Sequence, residues 1–162
     1  MPADTHAPQF PSTAEEFCSR GMEKLRTGNW KDAIDDFTQA IRLRPDVAAG
    51  YRFRAIAHAE GGNVTRAISD LDQAIRLKPD DGQALFDRGQ FFLKQRQYDD
   101  ALADCNKAVG LDPGRADVIA LRGRLHEARG ALKHFSRAAT AAVAVVLVTR
   151  GLNTLLTLGR LP

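Results

Sequence analysis

Apolar and polar positions along this 162-residue chain follow a helical rhythm that is broken at regular points. In residues 14–47, Phe17, Gly21 and Lys24-Leu25 recur at helical spacing. Thr13 ahead of Ala14-Glu15-Glu16 forms a Thr-x-x-Glu capping box, which satisfies orphan N–H groups at a helix start. Thr27-Gly28-Asn29 then interrupts the pattern, because Gly and Asn tolerate turn backbone angles. A second apolar run follows through Trp30, Ala33-Ile34, Phe37 and Ala40-Ile41, and Pro45 closes it. The unit predicted is a pair of antiparallel helices joined by a short turn. Gly21 is expected to face Ala33 and Ala40 so that the two axes approach closely, with Phe37 and Trp30 filling the space beside them.

The same unit recurs every 34 residues. FTQAIRLRP, LDQAIRLKP and CNKAVGLDP end at Pro45, Pro79 and Pro113. Ala33, Ala67 and Ala101 keep that spacing, as do Ala40, Ala74 and Ala108, and Gly21, Ala55, Gly89 and Gly123. A fixed period of this length predicts a stacked array whose units cannot bury their apolar faces alone. Three divisions follow. Residues 1–13, rich in proline and small polar residues, are a disordered lead; residues 14–113 are three complete units; residues 114–162 are a degenerate fourth unit with an apolar tail. The fold class predicted is all-α, with helices over 14–113 in six pieces, turns near Gly28, Gly62 and Arg96-Gln97, and no strands.

The chain resembles the tetratricopeptide repeat (TPR) family. The resemblance rests on Phe17, Tyr51, Leu85 and Ile119, on the Gly/Ala, Ala33-type and Ala40-type positions, and on the prolines, matched in three successive units. It implies an α-solenoid, a right-handed superhelix of helical hairpins with a concave groove lined by the first helix of each unit. It also implies protein or peptide ligands and no catalysis. Non-repeating positions on the first helices are the expected groove lining: Cys18, Met22, Leu25, Phe53, Ile56, Phe86, Asp87, Gln90, Leu93, Leu121 and Arg124. One subset of the family grips acidic chaperone tails with Lys, Asn and Arg; the matching positions here hold Cys18, Met22, Phe53, Gln83 and Asp87, so that grip is not expected.

In the fourth unit the period fails. ALKHFSRA at 131–138 matches AIDDFTQA at 33–40 but arrives four residues early, removing most of the turn. One long helix from about residue 116 into the 140s is expected, with Gly130 a weak point that costs about 1 kcal/mol. Beyond it AATAAVAVVLVT, residues 138–149, carries no charge. Such a segment would bury itself through self-association or a partner, with Val143, Val145, Val146, Leu147 and Val148 as candidate contacts. A membrane surface is the alternative, since Arg129, Lys133 and Arg137 precede it, although 12 residues of helix, about 18 Å, fall short of a bilayer core of about 30 Å.

Charge refines the picture. The net charge is +3, but residues 114–162 hold eight Lys/Arg against two Asp/Glu, +6, which leaves −3 for residues 1–113. The basic segment lacks interleaved aromatics, which argues against nucleic acid and for a solvated or acid-binding face. Cys18 and Cys105 are too few for a disulfide framework and read as free thiols of a cytoplasmic protein, Cys105 as a small buried hydrophobe. The N-terminus has neither a basic n-region nor an apolar h-region of a secretory signal.

No catalytic chemistry emerges. His6, His58, His126 and His134 show no metal-ligand spacing, and phosphate-loop and nucleophile-elbow motifs are absent, so neither metal nor cofactor is expected. Arg20, Arg54, Arg88 and Arg122 recur with Asp36, Asp70 and Asp104. Charges required in every unit are expected to serve the unit as ion pairs between neighbouring helices.

Overall fold

The computed structural model describes residues 12–134. Six helices form three hairpins: α1 (Ala14–Arg26) with α2 (Trp30–Leu43), α3 (Ala48–Glu60) with α4 (Val64–Leu77), and α5 (Gly82–Lys94) with α6 (Tyr98–Leu111). A further helical run covers 116–134. No strand occurs among the described residues. The chain divides into two compact units, Met1–Arg122 and Gly123–Pro162, the first of which holds the three hairpins. The N-terminal lead through residue 11, and the apolar segment with Val143, Val145, Val146, Leu147 and Val148, lie outside the described residues.

Local chemistry sets the boundaries. The Thr13 hydroxyl accepts from the Glu16 N–H at 3.2 Å, and the Glu16 carboxylate accepts from the N–H groups of Ser12 (2.7 Å) and Thr13 (3.1 Å). Asn29, Asn63 and Asp81 cap α2, α4 and α5 with their side-chain oxygens. The three inter-helix turns each place one residue in the left-handed region: Gly28 and Gly62 at φ +80°, and Arg96 at +61°. Only the third turn lacks glycine, and a side chain costs roughly 1–2 kcal/mol there. Arg96→Gly is therefore expected to raise stability by about 0.5–1 kcal/mol despite glycine's greater unfolded-state entropy. A lower urea midpoint for that variant would show that the Arg96 side chain contributes more than its backbone costs.

Packing is built on alanine. Ala33, Ala40, Ala67, Ala74, Ala101 and Ala108 are all buried, with Phe37, Leu71 and Cys105 beside them fully so. A Cβ on Gly21 would lie 2.7 Å from the Phe37 ring, so the glycine makes room for that ring. Trp30 departs from expectation: its ring would sit 2.7 Å from a Cβ on Gly61, so the indole lies against the turn of the next hairpin.

The periodic charges pair within each hairpin. Arg20 forks onto Asp36, with Nε–Oδ2 at 2.9 Å, and Lys24 adds a contact at 2.9 Å. Arg54 meets Asp70 at 2.7 and 2.8 Å, and Arg88 meets Asp104 at 2.6 and 2.8 Å. The remaining guanidinium nitrogen reaches back to the preceding hairpin, Arg54 to Thr38 at 3.3 Å and Arg88 to Asp72 at 2.6 Å. One arginine thus ties its own second helix and the one before it. Burial pushes the Asp36 carboxyl up, but Arg20 and Lys24 hold it below its usual value.

Helix runs unbroken from 116 through 134, across Gly130 and across the place where the earlier units turn. Deletion of the turn residues accounts for this. In the second unit, Leu125 is buried, and a Cβ on Gly123 or Gly130 would meet no atom within 4 Å.

Candidate functional site

The first helices of successive hairpins, α1, α3 and α5, lie side by side in the first unit and present the positions that escape the repeat. Between α1 and α3, over the end of α2, opens an apolar cleft of about 240 Å³. Ala14 and Cys18 of α1 form one wall, Ala49, Gly50 and Phe53 of α3 the other, and Ala40 and Arg44 the floor and rim. The walls are close because the lining residues are small. Cys18 is half-buried, and burial together with Glu15 pushes its thiol up, so it serves the cleft as apolar surface. Phe53 rests against Phe37 with ring centroids 5.7 Å apart, which fixes its ring in place.

A polar belt follows along the same helices. Arg52 of α3 reaches Asp87 of α5 at 3.2 Å, and its guanidinium lies over the Phe53 ring at 4.9 Å. Gln83 donates to Asp87 at 3.4 Å and accepts from Arg115 at 2.8 Å. Arg115 in turn lies over the Phe86 ring at 5.1 Å and pairs with Asp117 at 2.9 Å. Burial pushes the Asp87 carboxyl up, against the pull of Arg52. Apolar cleft and belt together offer an anchor for an apolar side chain beside paired charges.

The expected lining residues separate into four kinds. Cys18 and Phe53 meet in the cleft, and Met22, 42% exposed, is open to solvent. Leu25, Ile56, Asp87, Gln90 and Leu93 are half-buried, Leu25 with Cys18 and Phe53 packed around Phe37. Phe86 is nearly buried, with Arg115 over its ring, and Leu121 is wholly buried, against Gly89. Arg124, in the second unit, is exposed.

Arg52 and Arg115 were not among the expected residues. Arg52 shares its repeat position with Cys18 and Phe86, 34 residues on either side, and that register was the signal for it. Arg115 stands at the position of the helix caps Thr13 and Asp81, where a cation is out of pattern.

A second, polar hollow of about 350 Å³ lies by the turns, lined by Trp30, Lys31, His58 and Arg66 among others. Its His58 stands 3.8 Å from Asp70, yet burial and the nearby Arg54 and Arg66 lower its affinity for a proton. Among the described residues no His/Cys/Asp/Glu group is arranged to hold a metal, and no helix is long and apolar enough to cross a membrane.

The tetratricopeptide repeat family profile matches residues 18–81 and again 60–116. The chain belongs to the tetratricopeptide repeat family. No curated protein sequence matches it significantly. Many solved structures share the fold. The first TPR domain of Spaghetti (RPAP3), bound to the HSP90 peptide SRMEEVD, superposes with a TM-score of 0.71 at 20% identity, over 73% of this chain and 94% of that one. The TPR2B domain of yeast Sti1, in its Hsp70 complex, gives 0.68 at 26% identity, over 70% and 96%. The Arabidopsis OM64 TPR domain gives 0.67 at 25%, over 70% and 94%.

Proposed function

We propose that this chain is a non-enzymatic interaction module that binds a peptide or helix along α1, α3 and α5. The observation that carries this reading is the apolar cleft of Cys18, Gly50 and Phe53, continued by the Arg52–Asp87 pair. An apolar side chain of the ligand fills the cleft, and its backbone or polar side chains meet the belt. Peptide-bound neighbours such as the Spaghetti and Sti1 domains support the mode of binding. The two cysteines, neither in a disulfide, favour the cytoplasm as the place of action.

The ligand differs from the SRMEEVD peptide that the Spaghetti domain holds. Cys18, Met22 and Phe53 offer a carboxylate no cation, Gln83 is engaged by Arg115, and Asp87 repels it while occupying Arg52. No saturable binding of SRMEEVD by fluorescence anisotropy is the expected result. Micromolar binding that free carboxylates compete away would refute this.

Panning a random peptide library on the full chain tests the module directly. Enriched peptides should share an apolar anchor, and Phe53→Ala should weaken them about tenfold or more while leaving the circular dichroism spectrum unchanged. Enrichment that is indifferent to Phe53→Ala and to Arg52→Ala would place binding elsewhere.

A further inference from the structure

Three times this chain completes a hairpin with one eight-residue phrase: AIDDFTQA at 33–40, AISDLDQA at 67–74 and ALADCNKA at 101–108. In each, the end alanines, the aspartate and the residue after it are buried. The aspartate always receives the fork of an arginine 16 residues earlier. Arg122 continues that arginine series at the same spacing. It is half-buried, and it takes part in none of the ion pairs or side-chain hydrogen bonds among the described residues. Ile119, one turn before it, is 43% exposed, whereas its equivalent Leu85 is fully buried and Tyr51 is packed into the core of its hairpin. Among the described residues, the first helix of a fourth hairpin thus stands with its inner face uncovered.

The degenerate phrase that follows does not supply the missing helix. ALKHFSRA at 131–138 sits four residues too close, and it carries His134 where Asp36, Asp70 and Asp104 stand. Its described part through His134 prolongs the same helix and is exposed. A second copy offers no spare phrase either, because α2, α4 and α6 are each docked in their own hairpins. What fits is fixed by charge and size: a carboxylate to take the Arg122 fork, an apolar residue after it to cover Ile119, and alanines to let the axes close.

We infer that the Ile119–Arg122 face docks an amphipathic helix of a partner protein bearing Ala-x-x-Asp-apolar-x-x-Ala, completing the fourth hairpin in trans. This face is independent of the peptide site on α1, α3 and α5, so the failure of either reading leaves the other standing.

The probe is a hydrocarbon-stapled, dye-labelled helix with the sequence of residues 64–77, VTRAISDLDQAIRL, titrated with the full chain by fluorescence anisotropy. Saturable binding is expected. It should weaken about tenfold or more when the peptide carries Asp70→Asn and, separately, when the chain carries Arg122→Gln. Ile119→Ser in the chain is a second variant, expected to weaken binding several-fold, with melting temperature and circular dichroism confirming that each variant is folded. Absence of saturable binding to the unmodified chain overturns the inference. So does binding that neither Arg122→Gln nor Ile119→Ser alters, as would be seen if the peptide merely displaced α4.

Discussion

Asp70→Ala is expected to destabilise the chain by about 3 kcal/mol, because it strands a partly buried guanidinium. Asp70 is 7% exposed, and both its oxygens accept from Arg54. Without the carboxylate, Arg54 keeps Thr38 at 3.3 Å, which carries no charge. The neighbouring His58 offers no anion in its place. An exposed pair supplies the contrast. Glu23 and Arg26 are 61% and 74% exposed in α1 and meet at 2.6 Å, closer than Arg54 and Asp70. Water screens them, so Glu23→Ala should shift the urea midpoint far less than Asp70→Ala does. Urea midpoints for the two variants decide whether burial or distance governs these pairs. Equal shifts would remove the arginine–aspartate ladder from the account of what holds the hairpins together.

Positions repeated at a fixed period proved legible; those that depend on the neighbouring unit less so. Ala40, Ala74 and Ala108, the turns and the arginine–aspartate pairs are all determined within one hairpin, so three copies of the same solution appear in the sequence. Trp30 and Leu121 are different. Trp30 meets Gly61 of the next hairpin, and Leu121 is buried against Gly89 of the one before. Their surroundings depend on how one unit stacks on another, which helical spacing inside a unit does not encode. At Gly21 the ring of Phe37 is the nearest neighbour, a contact that the spacing of small residues alone does not reveal. In the candidate site, Cys18 and Phe53 were visible as non-repeating positions. The Arg52–Asp87 pair was obscured because a basic residue at a repeat position reads as a solvated charge until its partner 35 residues away is in place.

Ala74→Leu tests the packing on which every other statement about the array depends. Ala74 has no exposed surface and lies in a cluster with Ala48, Ala55, Ala67, Leu71, Ala84 and Phe91. Five of those seven residues are alanines, so the cluster achieves its density largely by close backbone approach. Three added carbons must therefore push α4 away from α3 or α5, at a cost of roughly 1–3 kcal/mol. The increase in apolar burial does not offset this, because a leucine that displaces its neighbours exposes as much surface as it covers. Ala103→Leu in α6 is the matched control. Ala103 is exposed, and leucine is nearly as good a helix former as alanine, so the change there should stay within about 0.5 kcal/mol. Thermal melts of both variants should separate by several degrees, with the Ala74→Leu chain the lower. If the two midpoints coincide, the alanine positions are not the close contacts that set the hairpin spacing, and the reason for their 34-residue recurrence lies elsewhere.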